Sequence, residues 1–216
     1  MTLLEGFDLR EAIVTRAAAS GLLLADEALI AIEAHAREVL GAEKGLGLTS
    51  IRDPRTFVER HVGEALEGAA MLPPGISGPL LDLGSGNGYP GLPLAAARPL
   101  LEPVLAEASS RKSRFLRRVT NEWFRRGSVI ERQIQRAGDL EGMAPLRVLV
   151  TRAMGGWERI VPRLLPALDQ EAAVLIWAGT ETESIADRAA WRRFELRERR
   201  ALPGRDRSWI WHFAPR

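Results

Sequence analysis

Between Asp82 and Gly88 the chain has the composition of a turn built around something other than itself. Asp82 is followed by glycine at alternate positions, Gly84, Gly86 and Gly88, and the run continues as Tyr89-Pro90-Gly91-Leu92-Pro93. Ordered glycine costs backbone entropy, so three at alternate positions imply a sharp bend and a close approach by another molecule. The run follows the apolar strand around Leu80–Leu83 and opens a helix, which is where an open parallel sheet holds its ligand. Two glycine patterns overlap. From Gly86 the residues satisfy GxGxxG, the dinucleotide fingerprint, a weak signal when alone. From Asp82 they read as an acid on a strand end followed by a three-glycine loop. Pyrophosphate needs backbone N–H groups at a helix N-terminus, and Pro90 and Pro93 each remove one, which favours the second reading. S-adenosylmethionine carries no phosphate. Its amino-acid end suits a loop of Gly84, Ser85, Gly86, Gly88 and Tyr89, with Asp82 set for the ammonium. Glu107, 23 residues past Gly84, ends the next strand, where a carboxylate accepts from both ribose hydroxyls. NAD offers the same hydroxyls, so Glu107 does not separate the two cofactors.

The elements that must hold these residues read as α/β. Strand-like runs at Pro79–Leu83, Pro103–Glu107, Ser128–Ile134, Leu146–Thr151 and Ala172–Ala178 alternate with helical stretches, the pattern of a parallel sheet. FELRERR and RSWIWHF flank a PGRD turn and predict an antiparallel hairpin at one sheet edge. The first 70 residues read as helical. Leu29, Ile32, Ala36 and Leu40 recur at helical spacing before Gly41. Asp53 and Pro54 form an N-cap and first-turn pair for a helix with Val58, Val62, Ala65 and Ala69 on one face. The expected division is a helical extension over 1–76 and a sheet domain over 77–216.

With 216 residues and 46% hydrophobic content, the chain can bury a sizeable core. It has no cysteine, which excludes disulfides and thiolate metal sites, and its three histidines, His35, His61 and His212, are too dispersed for a metal centre. Acids at Glu5 and Asp8 stand where a secretory signal is basic and then apolar, and no apolar run reaches the length of a membrane span, so a cytoplasmic location away from membranes is expected. The net charge of +2 hides segregation: residues 1–70 carry 7 Lys/Arg against 12 Asp/Glu, whereas 109–136 carry 9 against 2. A basic stripe of this kind suits a polyanion. On the helix after Glu107, Ser109 or Ser110 is the expected cap and Phe115, Leu116, Val119 and Trp123 the buried stripe. Arg111, Lys112, Arg114, Arg117, Arg118, Arg125 and Arg126 spread over its other faces, and the first five are the candidate nucleic-acid contacts. Trp123, Trp177, Trp191, Trp209 and Trp211 are expected mostly in the core.

Four segments in order, DLGSGNGYPGLPLA, EASSRKSRFLRRV, QRAGD and TRA, resemble the GidB/RsmG family of ribosomal RNA methyltransferases. LTSIRDPRTFVERHVGEAL is similar to the family's upstream segment, so the likeness runs from about Leu48 to Ala153. It implies a Rossmann-like class I methyltransferase fold, mostly parallel with an antiparallel C-terminal hairpin and a helical N-terminal extension. It also implies S-adenosylmethionine as cofactor, and methylation of guanine N7 in bacterial 16S ribosomal RNA or the small ribosomal subunit; a monomer is expected. Carried over by position, Gly84 and Tyr89 would sit against the cofactor, Ala137 and Gly138 would bracket its adenine, and Arg152 would stand beside the cofactor and the incoming base. No catalytic acid or base is implied. The chain departs from the family in Gly138, where Glu is usual, in Arg147, where many members have an acid, and in Ala178, where the pattern ends in Lys-Gly. Two alternatives stay open, a non-catalytic RNA-binding relative and an NAD-binding oxidoreductase.

Overall fold

The computed structural model describes residues 6–124, 126–143 and 145–216; Glu5 and Arg125 lie outside them. In chain order α1 (Leu9–Ala19) and α2 (Asp26–Gly41) precede a helix in three parts: α3 (Pro54–Phe57), a π-helical segment (Val58–Gly63) and α4 (Glu64–Ala70). Strand β1 (Gly78–Leu83) leads to α5 (Gly91–Ala97), β2 (Leu101–Ala106) to α6 (Ser110–Val119), and β3 (Ser128–Ile130) to β4 (Leu146–Arg152). Then come α7 (Trp157–Leu164), β5 (Leu168–Gly179), α8 (Glu181–Ala186), β6 (Phe194–Ala201) and β7 (Ser208–Pro215).

All seven strands form one sheet in the order β3-β2-β1-β4-β5-β7-β6. Strands β1 to β5 pair in parallel, and β7 runs antiparallel between β5 and β6. Strand order reverses between β1 and β4, so the loops that follow Leu83 and Arg152 open side by side at the carboxyl edge. Such a switch point leaves a crevice because successive crossovers leave it in opposite directions. Side chains alternate across the pleat. Leu80, Val148, Val150, Leu175 and Trp177 pack on one face with Leu94 of α5 and Ala69 of α4. Leu81, Leu83, Leu149, Val174 and Ile176 pack on the other with Val161 and Leu164 of α7 and Trp191. A third cluster joins the helical extension to the domain, with Ile32 and Ala36 of α2 meeting Val62, Tyr89, Leu92 and Leu116.

Three expectations need correction. The strand over Ser128–Ile134 stops at Ile130, because its sole neighbour β2 ends at Ala106, the partner of Ile130, and no ladder remains for the residues beyond. The helix opened by Asp53 and Pro54 is interrupted by π-helical backbone over Val58–Gly63, although Val58, Val62, Ala65 and Ala69 are buried as their spacing requires. Its N-cap holds: the Asp53 carboxylate accepts from the Thr56 N–H at 2.7 Å. On α6, Ser109 takes the N-cap position without a side-chain cap; its N–H donates to Glu107 Oε1 at 2.7 Å, so the acid closes that end. Phe115, Leu116 and Val119 are buried, while Trp123 is half-buried. Trp177, Trp191 and Trp211 lie in the core; Trp209 is half-buried.

Candidate functional site

The turn after β1 is a tightly tied loop. Gly84 and Ser85 both donate their N–H groups to the Ala106 carbonyl at 3.0 Å, and Gly88 N–H donates to the Ser85 carbonyl at 2.8 Å. Gly84, Gly86 and Gly88 have φ of +77°, +58° and +89°, the left-handed region that side chains resist. A Cβ on Gly84 would press on Met154 at 3.1 Å, and one on Gly88 would meet His35 at 3.0 Å. A Cβ on Gly86 would meet only the Gly84 carbonyl, at 3.8 Å, so the loop is open there.

Asp82 lies under the loop, 1% exposed. Its Oδ2 accepts the Gly91 N–H at 3.0 Å, and its Oδ1 has no partner. Burial raises the carboxyl to about 7, against the pull of the Gly91 N–H and of Arg152. Glu107 spans two loops: Oε2 accepts from Gly86 N–H at 2.9 Å and Oε1 from Ser109 N–H. Each carboxylate oxygen keeps a second lone pair, so these bonds orient Glu107 without exhausting it.

Tyr89 is placed otherwise than its position in the loop suggests. Its ring is 3% exposed and stacks on His35 of α2, centroids 4.4 Å apart at 10°. It packs into the helical extension, and only its backbone lines the loop. Three residues that sequence reasoning did not single out hold the far side of the turn. His35 Nε2 meets the Asn87 carbonyl at 2.7 Å, Asn87 Nδ2 donates to the Leu48 carbonyl at 3.0 Å, and Asn87 Oδ1 accepts from Tyr89 N–H at 3.2 Å. The available signal was His35 itself, a polar residue set on the apolar face of α2.

At the end of β4, beside the loop, the Arg152 guanidinium meets the π-helical segment. It donates to the Arg60 carbonyl at 2.9 Å and His61 Nδ1 at 2.6 Å, and lies 3.4 Å from Glu64 Oε2. Glu64, 4% exposed, also receives Arg205 of the β6–β7 turn at 2.8 Å. The two candidate adenine contacts lie on another element: Ala137, half-exposed, and Gly138, exposed, belong to a 3₁₀ turn over Ala137–Leu140 pinned by Asp139, which accepts from the N–H groups of Gln135 and Arg136.

The basic face of α6 is not a uniform row of unpaired cations. Arg118 grips Glu38 of α2 with two bonds of 2.8 and 2.9 Å, and Arg117 meets Glu131 at 2.6 Å. Arg111 donates to the Gly45 carbonyl at 3.2 Å. Arg114 is exposed and Lys112 half-buried, and neither forms an ion pair among the described residues. The half of the helix nearest Glu107 therefore keeps its positive charge, and the far half is largely neutralised. No helix among the described residues is long and apolar enough to cross a membrane.

The buried Asp82 oxygen without a partner, the opening at Gly86 and the oriented Glu107 fit a ligand with an ammonium at one end and a ribose at the other. Residues 29–197 match the family GidB, rRNA small subunit methyltransferase G. The chain is 33% identical over 184 residues to the ribosomal RNA small subunit methyltransferase G of Sorangium cellulosum, covering 84% of this chain and 77% of that one. It is 49% identical over 74 residues to the protein of that name from Xanthomonas campestris pv. campestris, a match spanning 34% of either chain. Among solved structures, Aeropyrum pernix fibrillarin, crystallised with natively bound S-adenosyl-L-methionine, superposes with a TM-score of 0.53 at 17% identity, covering 66% of this chain and 68% of that one. That likeness carries the fold, a Rossmann-like class I methyltransferase sheet with an antiparallel hairpin; the match over 29–197 carries the lineage, and this chain belongs to the GidB family, rRNA small subunit methyltransferase G.

Proposed function

We propose that this chain transfers a methyl group from S-adenosylmethionine to N7 of a guanine in 16S ribosomal RNA, as a monomer in the bacterial cytoplasm. One observation carries the reading: the glycine loop, Asp82, Glu107 and Arg152 all fall within the family match and converge where β1 and β4 open the sheet. Asp82 and the backbone of Gly84, Ser85, Gly86 and Gly88 would hold the amino-acid end of the cofactor, Glu107 its ribose, and Ala137 with Gly138 its adenine. When bound, S-adenosylmethionine supplies a methyl group on positively charged sulfur.

Guanine N7 carries a free lone pair, so no proton has to leave first and no general base is required. The chain's task is alignment. Well-oriented reactants gain on the order of 7 kcal/mol from proximity. Arg152 is suited to orient the base, since a guanidinium N–H pairs with guanine O6 and is stronger in a site shielded from water. The base must leave its stack to arrive there, which suits a loop or junction in RNA. Arg111, Lys112 and Arg114, at the end of α6 beside the crevice, would meet the phosphates, with Arg117 and Arg118 contributing less. The extension over 1–76 serves in this reading as the clamp on the loop.

Labelled methyl transfer to small subunits lacking the modification tests the proposal, with mass spectrometry of the RNA to place the methyl. Incorporation at a guanine N7 is expected. Absence of transfer by a protein that binds S-adenosylhomocysteine would instead favour a non-catalytic relative, a possibility raised by Gly138 and Ala178. Binding of NADH in its place would favour the oxidoreductase.

A further inference from the structure

We propose that His61 is the positioning residue for Arg152: as a neutral acceptor it takes one guanidinium N–H, fixes the plane of the group at the end of β4 and leaves its positive charge available to the substrate. This rests on the reading of Arg152 as the donor to the incoming guanine.

The hydrogen bonds determine the proton positions. Arginine only donates, so His61 Nδ1, 2.6 Å from Arg152 Nη2, must present its lone pair. The ring proton is then on Nε2, which donates to Thr49 Oγ1 at 3.0 Å, and that oxygen also accepts the Ile51 N–H at 3.1 Å. The ring packs between Phe57, at 4.6 Å between centroids, and Tyr89, at 5.2 Å, so it cannot turn over without moving either. Burial, with Arg152, His35 and Arg205 nearby, lowers His61 to about 2, which keeps it neutral; Glu64 is the acid facing the same guanidinium.

With His61 on Nη2 and Arg60 and Glu64 on Nη1, the Nε–H and the second Nη2–H of Arg152 have no partner among the described residues. The side chain is 15% exposed. A carboxylate at position 61 would hold Arg152 more tightly but would cancel its charge, which Glu64 already shares between Arg152 and Arg205. A neutral imidazole orients without cancelling. The π-helical backbone over Val58–Gly63 makes this possible by bringing the Arg60 carbonyl, the His61 ring and the Glu64 carboxylate onto one group, and such segments recur at functional sites.

The test has two arms. Nitrogen-15 spectra of the wild-type histidines should show His61 neutral with its proton on Nε2 from pH 8 down to pH 5; a proton on Nδ1, or titration near the ordinary histidine value, overturns the proposal. In methyl transfer to small subunits, His61→Leu should lower kcat by about tenfold or more with KM within about twofold, whereas His61→Asn, whose side-chain oxygen falls near the Nδ1 position, should recover most of that loss. Equal kcat in the two variants overturns it. If His61→Leu does not fold, or if wild-type protein transfers no methyl and the functional reading itself fails, the spectra still decide whether His61 accepts from Arg152.

Discussion

The loop after β1 and the turn after β3 are both candidate cofactor contacts, and they are built in opposite ways. In the first, backbone is tied on every side: to β2 through the Ala106 carbonyl, to α2 through His35, to the extension through Asn87, and to the buried Asp82 beneath. In the second, Ala137 and Gly138 stand at the surface on a short 3₁₀ turn held by one carboxylate, that of Asp139. The difference teaches where shape is stored. The loop after β1, proposed as the methionine end, is preformed by the core, so residue identity there is dictated by contact. The turn after β3, proposed as the adenine end, leaves open space at Gly138, so side chains there can vary and Gly138 in place of the family's Glu is a tolerable exchange on this ground.

The largest expected effect breaks or confirms the first half of that contrast through Asp82. Its carboxyl ionises near pH 4 when unfolded and at about 7 when folded, so between these values the folded state holds the extra proton and stability falls as pH rises. Relative to Asp82→Asn, the wild type should lose up to about 4 kcal/mol between pH 4 and pH 7, measured by denaturant unfolding. A pH-independent difference between the two would mean that the Asp82 carboxyl is not buried beneath the loop. Next is Gly91→Ala, whose Cβ would come within 2.5 Å of Asp82 Oδ2 and 2.7 Å of Asp82 Cβ. A destabilisation of about 3 kcal/mol is expected, with loss of S-adenosylhomocysteine binding by calorimetry.

The same contrast extends to the two halves of α6. Replacing Arg111, Lys112 and Arg114 together by Gln should reduce the salt slope of RNA binding by about 2, since each lost phosphate contact removes roughly 0.7 to 0.9. Replacing Arg117 and Arg118 should change it by less than about 1, because Glu131 and Glu38 already occupy them. Equal slopes would show that the ion pairs open on binding. The smallest effect belongs to Gly138→Ala: nothing lies within 4 Å of the added Cβ, so stability should stay within about 1 kcal/mol of wild type, on the favourable side. A loss as large as that of Gly91→Ala would erase the distinction between the two loops.

Much of the fold was legible because its signals are local. The apolar strand runs of Leu80–Leu83 and Leu146–Thr151, the Asp53–Pro54 helix start and the PGRD turn each follow from a few neighbouring residues. Hidden from that kind of reading was anything set by distant partners. The end of β3 at Ile130 depends on where β2 runs out. The neutralised half of α6 depends on Glu38, 80 residues away in sequence. Tyr89 looked like a loop side chain because its environment, His35 and Phe57, comes from helices 54 and 32 residues earlier.

Resemblance to a family pointed to a methyltransferase; sequence alone determined that a glycine loop follows an acid on a strand end and that a second acid closes the next strand of an α/β chain. Those are properties of residue type and spacing, and backbone sterics enforce them wherever the chain goes. Only the tertiary structure decided which polar groups meet: Asp82 buried with one oxygen unpartnered, Glu107 bridging two loops, and Arg152 held between His61 and Glu64. The reason is range. A hydrogen bond acts over about 3 Å and its partners can lie anywhere along the chain, so their meeting is a consequence of packing and not of sequence neighbourhood.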